Sequence, residues 1–152
     1  MAIWNQRVTV QGKTFTRRTA AMLRNITKLT GLPLVIAQGS YNAGGVAVSG
    51  GTHDREAADL SVRGYTDVQR RAVVRAAKLS GFAAWYRPPL AGVWGEHIHM
   101  IPIKGDLSGS AAAQVIAFDA GRDGLRGNRQ DLTYRPDPRV RWSYPLRRTV
   151  RR

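Results

Sequence analysis

The stretch FAAWYRPPLAGVWGEHIHMIPIK (82–104) decides the architecture. FAAWY (82–86) is an apolar, aromatic run of strand length, and the RPPLAGVWG that follows it is rich in turn formers. HIHMIPIK (97–104) alternates: His97, His99 and Ile101 share one face of an extended chain, with Ile98 and Met100 opposite and Ile103 less regular after Pro102. Pro102 suits an edge or a strand end, because it has no N–H to give a ladder. The two consecutive strands read as part of a small antiparallel sheet.

Working outward, TRRTAAMLRNITKL (16–29) carries Met22, Leu23, Ile26 and Leu29 at helical spacing, with Thr14 or Thr16 placed to cap the start and Gly31 to stop it. LPLVIA (32–37) is a short buried strand. QGSYNAGGVAVSGGTHD (38–54) is rich in Gly, Ser and Asn, and reads as a loop or irregular hairpin. ADLSV (58–62) is another strand. Thr66 opens a helix through DVQRRAVVRAAKLSG (67–81), with Val68, Ala72, Val73, Ala76 and Leu79 on one face and Gly81 as terminator. Ser108 or Ser110 caps a last helix, AAAQVIAFDAG (111–121). The order is helix, strand, long loop, strand, helix, strand, strand, helix, tail. That is α+β, a small antiparallel sheet with flanking helices.

The 152 residues are one domain's length, and 43% hydrophobic against 22% charged residues is enough for a core. The absence of Cys excludes disulfides, cysteine metal ligands and a cysteine nucleophile. No apolar run approaches the ~20 residues needed to span a bilayer. The N-terminal MAIWNQRVTVQGK lacks the pattern of a signal peptide. The net charge of +14 draws polyanions: nucleic acid, anionic lipid or an anionic wall polymer. Residues 122–152 hold ten Arg, three Asp and no Lys, broken by Pro136, Pro138 and Pro145. Residues 128–152 thus read as an extended basic arm beside a domain over 1–127.

The chemistry concentrates in two short clusters. GTHDREAADL (51–60) and WGEHIH (94–99) contain all three His of the chain, His53, His97 and His99, and both of its Glu, Glu56 and Glu96. Zinc catalysis needs neutral imidazoles and a carboxylate, with one coordination position open. His-x-His on a strand puts both rings on one face, roughly 7 Å apart along the backbone, so one can ligate while the other serves the reaction. His53, Asp59 and His99 would supply two histidines and an aspartate for one zinc ion. The opposing reading leaves His53 as a loop histidine, with His97 and His99 facing solvent or an acid. Asp54 and Glu56 are candidate second acceptors that fix a histidine tautomer, or solvated loop charges.

SGGTHDREAADLSV followed by WGEHIHMIPI resembles the zinc peptidases that cut peptidoglycan stem peptides and share a fold with the Hedgehog signalling domain, the D-Ala-D-Ala carboxypeptidase and lysostaphin-like group. With QGSYNAGGV, AWYRPP and AGRDGL added, the likeness is to small members from actinobacteria and their phages. It runs from about Gln38 to Gly127, with the motifs within 38–104. The resemblance implies the Hedgehog/DD-peptidase-like fold and His53, Asp59 and His99 as zinc ligands. The family usually has six residues between its first His and the Asp, whereas His53 and Asp59 enclose five. The shorter loop would displace Asp59 unless a local bulge restores it, and Glu56 is then the substitute ligand.

Carboxypeptidase members place the general base at the position of Glu96, and lysostaphin-like members at that of His97. Strand geometry favours His97, which shares a face with His99. Gln38 stands roughly where relatives keep a polar group to steady the oxyanion. Trp94 and Tyr41 are candidates for a substrate groove, while Trp85 and Tyr86 could line it or pack in the core.

The arm interleaves Arg with Tyr134, Trp142 and Tyr144, a composition suited to phosphate contact and stacking. The expectation is therefore a zinc-dependent hydrolase of peptidoglycan stem or cross-link peptides. It would be a phage endolysin released from the host cytoplasm through a holin, or a virion-associated wall hydrolase. Peptidoglycan is the expected partner; the arm would meet anionic wall polymers, nucleic acid or virion subunits. The alternatives are a virion structural or assembly protein that keeps the fold without activity, and a nucleic-acid-binding module with incidental histidines.

Overall fold

The structure, a computed structural model, describes residues 3–42 and 51–133. The basic arm beyond residue 133, with Tyr134, Trp142 and Tyr144, and part of the Gly-rich loop lie outside the described residues. Among the described residues the strands and α-helices follow in the order β1 (Arg7–Val10), β2 (Lys13–Thr16), α1 (Arg17–Thr30), β3 (Val35–Gln38), β4 (Ala58–Ser61), α2 (Asp67–Leu79), β5 (Phe82–Arg87), β6 (His97–Pro102) and α3 (Gly109–Asp119). They form an α+β protein with two small antiparallel sheets. A four-stranded sheet has the order β3-β4-β6-β5, and β1 and β2 make a separate hairpin.

That hairpin precedes the first helix, where the sequence pattern predicts no element. Its signal is short: RVTV and KTFT flank Gln11-Gly12, both at positive φ (50° and 71°), the conformation a two-residue hairpin turn requires. Four-residue strands give too little alternation to stand out from a loop.

The helices start and stop where their caps dictate. Thr16 accepts from the Thr19 N–H at 3.1 Å, and Gly31, at φ 69°, closes α1 with an N–H to the Thr27 carbonyl. Thr66 and Gln69 form a reciprocal capping box on α2, and the Ser108 side chain, rather than Ser110, caps α3. Each cap contributes about 1 kcal/mol.

The period of two sorts the large sheet into two faces. Ile36, Ala58, Leu60, Phe82, Ala84, Ile98 and Met100 point to one side, where they pack with α1 and α2 in the main core. The buried stripe of α2 is Val73, Val74, Ala76 and Ala77, whereas Val68, Ala72 and Leu79 were expected there. Val68 is 75% exposed because it sits in the first turn, ahead of the part of the helix that reaches the core. Leu29 is likewise exposed in the last turn of α1, and Met22, Leu23 and Ile26 carry that helix's packing.

On the other face, Ala83, Trp85 and Ile101 meet Ala111, Val115 and Phe118 of α3 in a smaller core. Trp85 is 1% exposed, packed edge-on against Phe118. The remainder of this face carries the polar side chains His97, His99, Asp59 and Arg87.

A candidate metal centre

The register places the polar set. Asp59 on β4 pairs with His99 on β6, and His99 pairs with Trp85 on β5. One strand step away, Ser61 pairs with His97 and His97 with Arg87. Opposed residues share a face, so these side chains converge on one side. At the β3–β4 edge, Ile36 opposes Leu60 but Gln38 opposes Asp59, so Ala37 is an extra residue in β3. This bulge brings Gln38 level with the aspartate.

His53 arrives from outside the sheet, on a 3₁₀ turn over Thr52–Asp54. Residues 39–42 run alongside 53–57 and hold that turn in place. The Tyr41 N–H donates to the Arg55 carbonyl at 2.9 Å and the Asn42 N–H to the His53 carbonyl at 2.7 Å. Ser40 Oγ donates to the Ala57 carbonyl at 2.9 Å and accepts from its N–H at 3.2 Å. Gly39 must be glycine here, because a Cβ would lie 2.7 Å from the Lys13 Cβ and 3.2 Å from the Thr14 carbonyl. The hairpin thus supports the strand end that carries Gly39, and Gly39 in turn holds His53.

The outcome is a compact triad. His53 Nε2 lies 3.4 Å from Asp59 Oδ2, and His99 Nδ1 lies 2.6 Å from Asp59 Oδ1. One potential ligand atom from each of the three residues falls within 4.8 Å of the others, so the triad could hold a metal ion. Five intervening residues therefore suffice to bring His53 to Asp59. Both histidines are buried, 2% and 6% exposed.

Each imidazole is also oriented from behind. His53 Nδ1 donates to the Gly39 carbonyl at 2.8 Å, which leaves Nε2 as the lone-pair nitrogen; that buried atom has no hydrogen-bond partner among the described residues. His99 Nδ1 lies 2.6 Å from Asp59 Oδ1, and Nε2 lies 2.9 Å from Gln114 Oε1. Without a metal ion the contact with the ionised carboxylate needs the ring proton on Nδ1; a metal ion at Nδ1 would put that proton on Nε2, where Gln114 Oε1 can accept it. Two imidazoles and a carboxylate, each ring with a partner on its far nitrogen, are a donor set that could hold a metal ion.

The electrostatics favour the ligating form at Asp59 and His99 and the protonated form at His53. Burial would raise the Asp59 pKa, but the two histidines outweigh it and keep the carboxylate ionised. Burial lowers the His99 pKa beyond what Asp59 restores, and the Arg87 and His53 charges push the same way. At His53 burial also pulls downward, but the Asp59 carboxylate 3.4 Å away, the Gly39 carbonyl and Asp54 more than offset it, and its pKa is raised.

The triad opens on a cleft of about 330 Å³, whose walls include Gln38, Arg87, Trp94, Glu96, His97 and Gln114. His97 Nδ1 donates to the Gly95 carbonyl at 2.8 Å, so its Nε2 is the basic nitrogen, and its ring packs edge-on against Trp94. Trp94 is anchored through Nε1 to the Pro88 carbonyl at 2.9 Å. Glu96 is engaged elsewhere: it accepts from Arg70 and from the Tyr86 hydroxyl, each at 2.9 Å.

Three further residues singled out from the sequence lie outside the triad, and Asp54 takes the place of a solvated loop charge. Glu56 is buried away from the triad, where it accepts from the hydroxyls of Thr16 and Thr19 and, at 2.6 Å, from the Asp106 N–H. It fastens the start of α1 to the turn after β6. Tyr41, under the Arg7 guanidinium at 3.9 Å, lines a second cleft beside Glu56 and Asp106. Asp54 is exposed and acts on His53 through its charge.

Two members of the site escaped the sequence reading. Gln114 is the sole polar side chain in AAAQVIAF (111–118), a signal visible only once α3 is known to cover the sheet. Arg87 looked like the start of a turn, being followed by two prolines. No family model matches the chain, and no match was found among curated proteins or solved structures. The site is therefore read from its own chemistry.

Proposed function

We propose that this protein is a zinc-dependent peptidase acting on the stem or cross-link peptides of peptidoglycan, with a Hedgehog/DD-peptidase-like fold. The observation that carries the reading is the triad of His53, Asp59 and His99, with one nitrogen of each imidazole held by Gly39 or Gln114 and the other turned toward the carboxylate. One zinc ion per chain, held by these three residues, would supply Lewis acidity for the scissile carbonyl and make water a nucleophile near neutral pH.

The remaining chemistry falls to the cleft walls. His97, with Nε2 free to accept, takes a proton from the attacking water and returns it to the leaving amine. Glu96 is the weaker choice of base, since its carboxylate is already paired with Arg70 and Tyr86. Gln38, level with Asp59, is placed to steady developing oxyanion charge. Trp94 gives the substrate chain an apolar wall.

The experiment is release of soluble peptides from purified peptidoglycan. Release should stop on chelation, return with added zinc, and be lost in a folded His99→Ala variant. Release that survives chelation, or that His99→Ala retains, would reject the proposal.

A further inference from the structure

Among the described residues, Arg87 is the one arginine or lysine in the wall of the metal cleft, and it is buried. It ends β5 opposite His97, on the same face as the triad, and is 4% exposed. Its guanidinium lies 5.0 Å from the Trp85 ring, which also stacks with the His99 imidazole at 6.0 Å. Asp123, Asp131 and Asp59 support its charge, and although burial pushes its pKa down to about 10 it stays protonated at neutral pH. Yet Nη2 is buried with no hydrogen-bond partner among the described residues.

A guanidinium out of water is costly unless its N–H groups are paired, so an unsatisfied donor beside a ligand cleft points to a partner that arrives with the ligand. The fork geometry of arginine matches a carboxylate, which can accept two parallel N–H bonds. Arg87 acts on the triad only through its charge, which helps to lower the His99 pKa. It is neither a ligand of the triad nor a neighbour that fixes either imidazole.

We infer that Arg87 is a specificity residue that binds a carboxylate of the substrate, held in the cleft beside the triad. The inference rests on the peptidase reading for the nature of the ligand, a short peptide. The carboxylate has two possible sources, the free end of the chain or an acidic side chain, and both present the same two oxygens to Arg87.

The test is calorimetric titration of the full chain, supplied with one equivalent of zinc, with three probes. These are N-acetyl-D-Ala-D-Ala, its C-terminal amide, and N-acetyl-D-Ala-D-Glu amidated at its α-carboxyl so that only the side chain is acidic. At least one carboxylate probe should bind wild type roughly tenfold or more tighter than the amide, the scale of a charge-assisted hydrogen bond. Tighter binding of the first probe assigns the chain end, and of the third the side chain. Arg87→Gln should erase the preference, and Arg87→Lys should keep part of it.

Equal binding of all three probes by wild type, binding of none, or a preference that persists in Arg87→Gln would overturn the inference. The wild-type comparison decides the matter even if a variant fails to fold. Zinc content measured on the same samples separates the two claims. Bound zinc without carboxylate preference removes the role of Arg87 alone, while the preference without bound zinc removes the metallopeptidase reading and leaves Arg87 its ligand.

Discussion

Gln114→Leu tests how the site is built, because it removes a support without touching a ligand. Zinc at His99 Nδ1 requires the ring proton on Nε2, which lies 2.9 Å from Gln114 Oε1 and can donate to it. Leucine has a similar volume and accepts no hydrogen bond. Without the Gln114 acceptor that tautomer loses its partner, while the competing one, with the proton on Nδ1 donated to Asp59 Oδ1 at 2.6 Å, keeps its own. The ligating nitrogen is then occupied, and zinc binding must first break that bond. Loss of one outer-shell partner typically weakens metal affinity about 10- to 100-fold. The fold should lose no more than roughly 1.5 kcal/mol, the ordinary net worth of one hydrogen bond. Competition against a fluorescent zinc chelator reads the first quantity, and urea unfolding of the metal-free protein the second. Gln114→Glu, which restores an acceptor, should recover the affinity. Unchanged zinc affinity in Gln114→Leu would refute the claim that Gln114 supports the zinc-binding tautomer of His99.

Three further outcomes follow from the same geometry. Glu56→Ala strands two threonine hydroxyls and the Asp106 N–H, so it should cost about 3 kcal/mol of stability in urea unfolding. Zinc stoichiometry should nonetheless hold at low temperature, which a ligand role for Glu56 would not allow. His97→Ala should lower kcat by about 10²–10⁴ with zinc retained, whereas Glu96→Gln should stay within about tenfold, and the reverse order would make Glu96 the base. Zinc affinity should fall with decreasing pH. His53 must be neutral to ligate and its pKa is raised, so proton competition sets in above the ordinary 6.5; affinity that stays flat through that range would exclude His53 as a ligand.

Much of the fold is legible in local sequence because it is locally determined. Thr16 with Gly31, Thr66 with Gln69, and Ser108 mark helix ends through hydrogen bonds within a few residues, and the alternation of HIHMIP states which face of β6 meets the core. The site's ligand set is legible for a different reason: three histidines and two glutamates in two short clusters leave few choices. What stays hidden depends on distant contacts. The β1–β2 hairpin matters because it passes close to Gly39, a relation between residues 13 and 39 that no local pattern announces. Gln114 reaches His99 only after α3 docks on the sheet, and Glu56 is drawn from the triad by Thr16, Thr19 and Asp106. Tyr41 follows the strap at 39–42, which faces the second cleft.

The most direct measurement is the zinc content of the purified full chain, set against a His53→Ala variant. The geometry of His53, Asp59 and His99 calls for close to one zinc per chain in wild type and loss of it in the variant. A wild type that takes up no zinc at neutral pH in excess metal, or a His53→Ala variant that keeps its full complement, would contradict the metal centre itself.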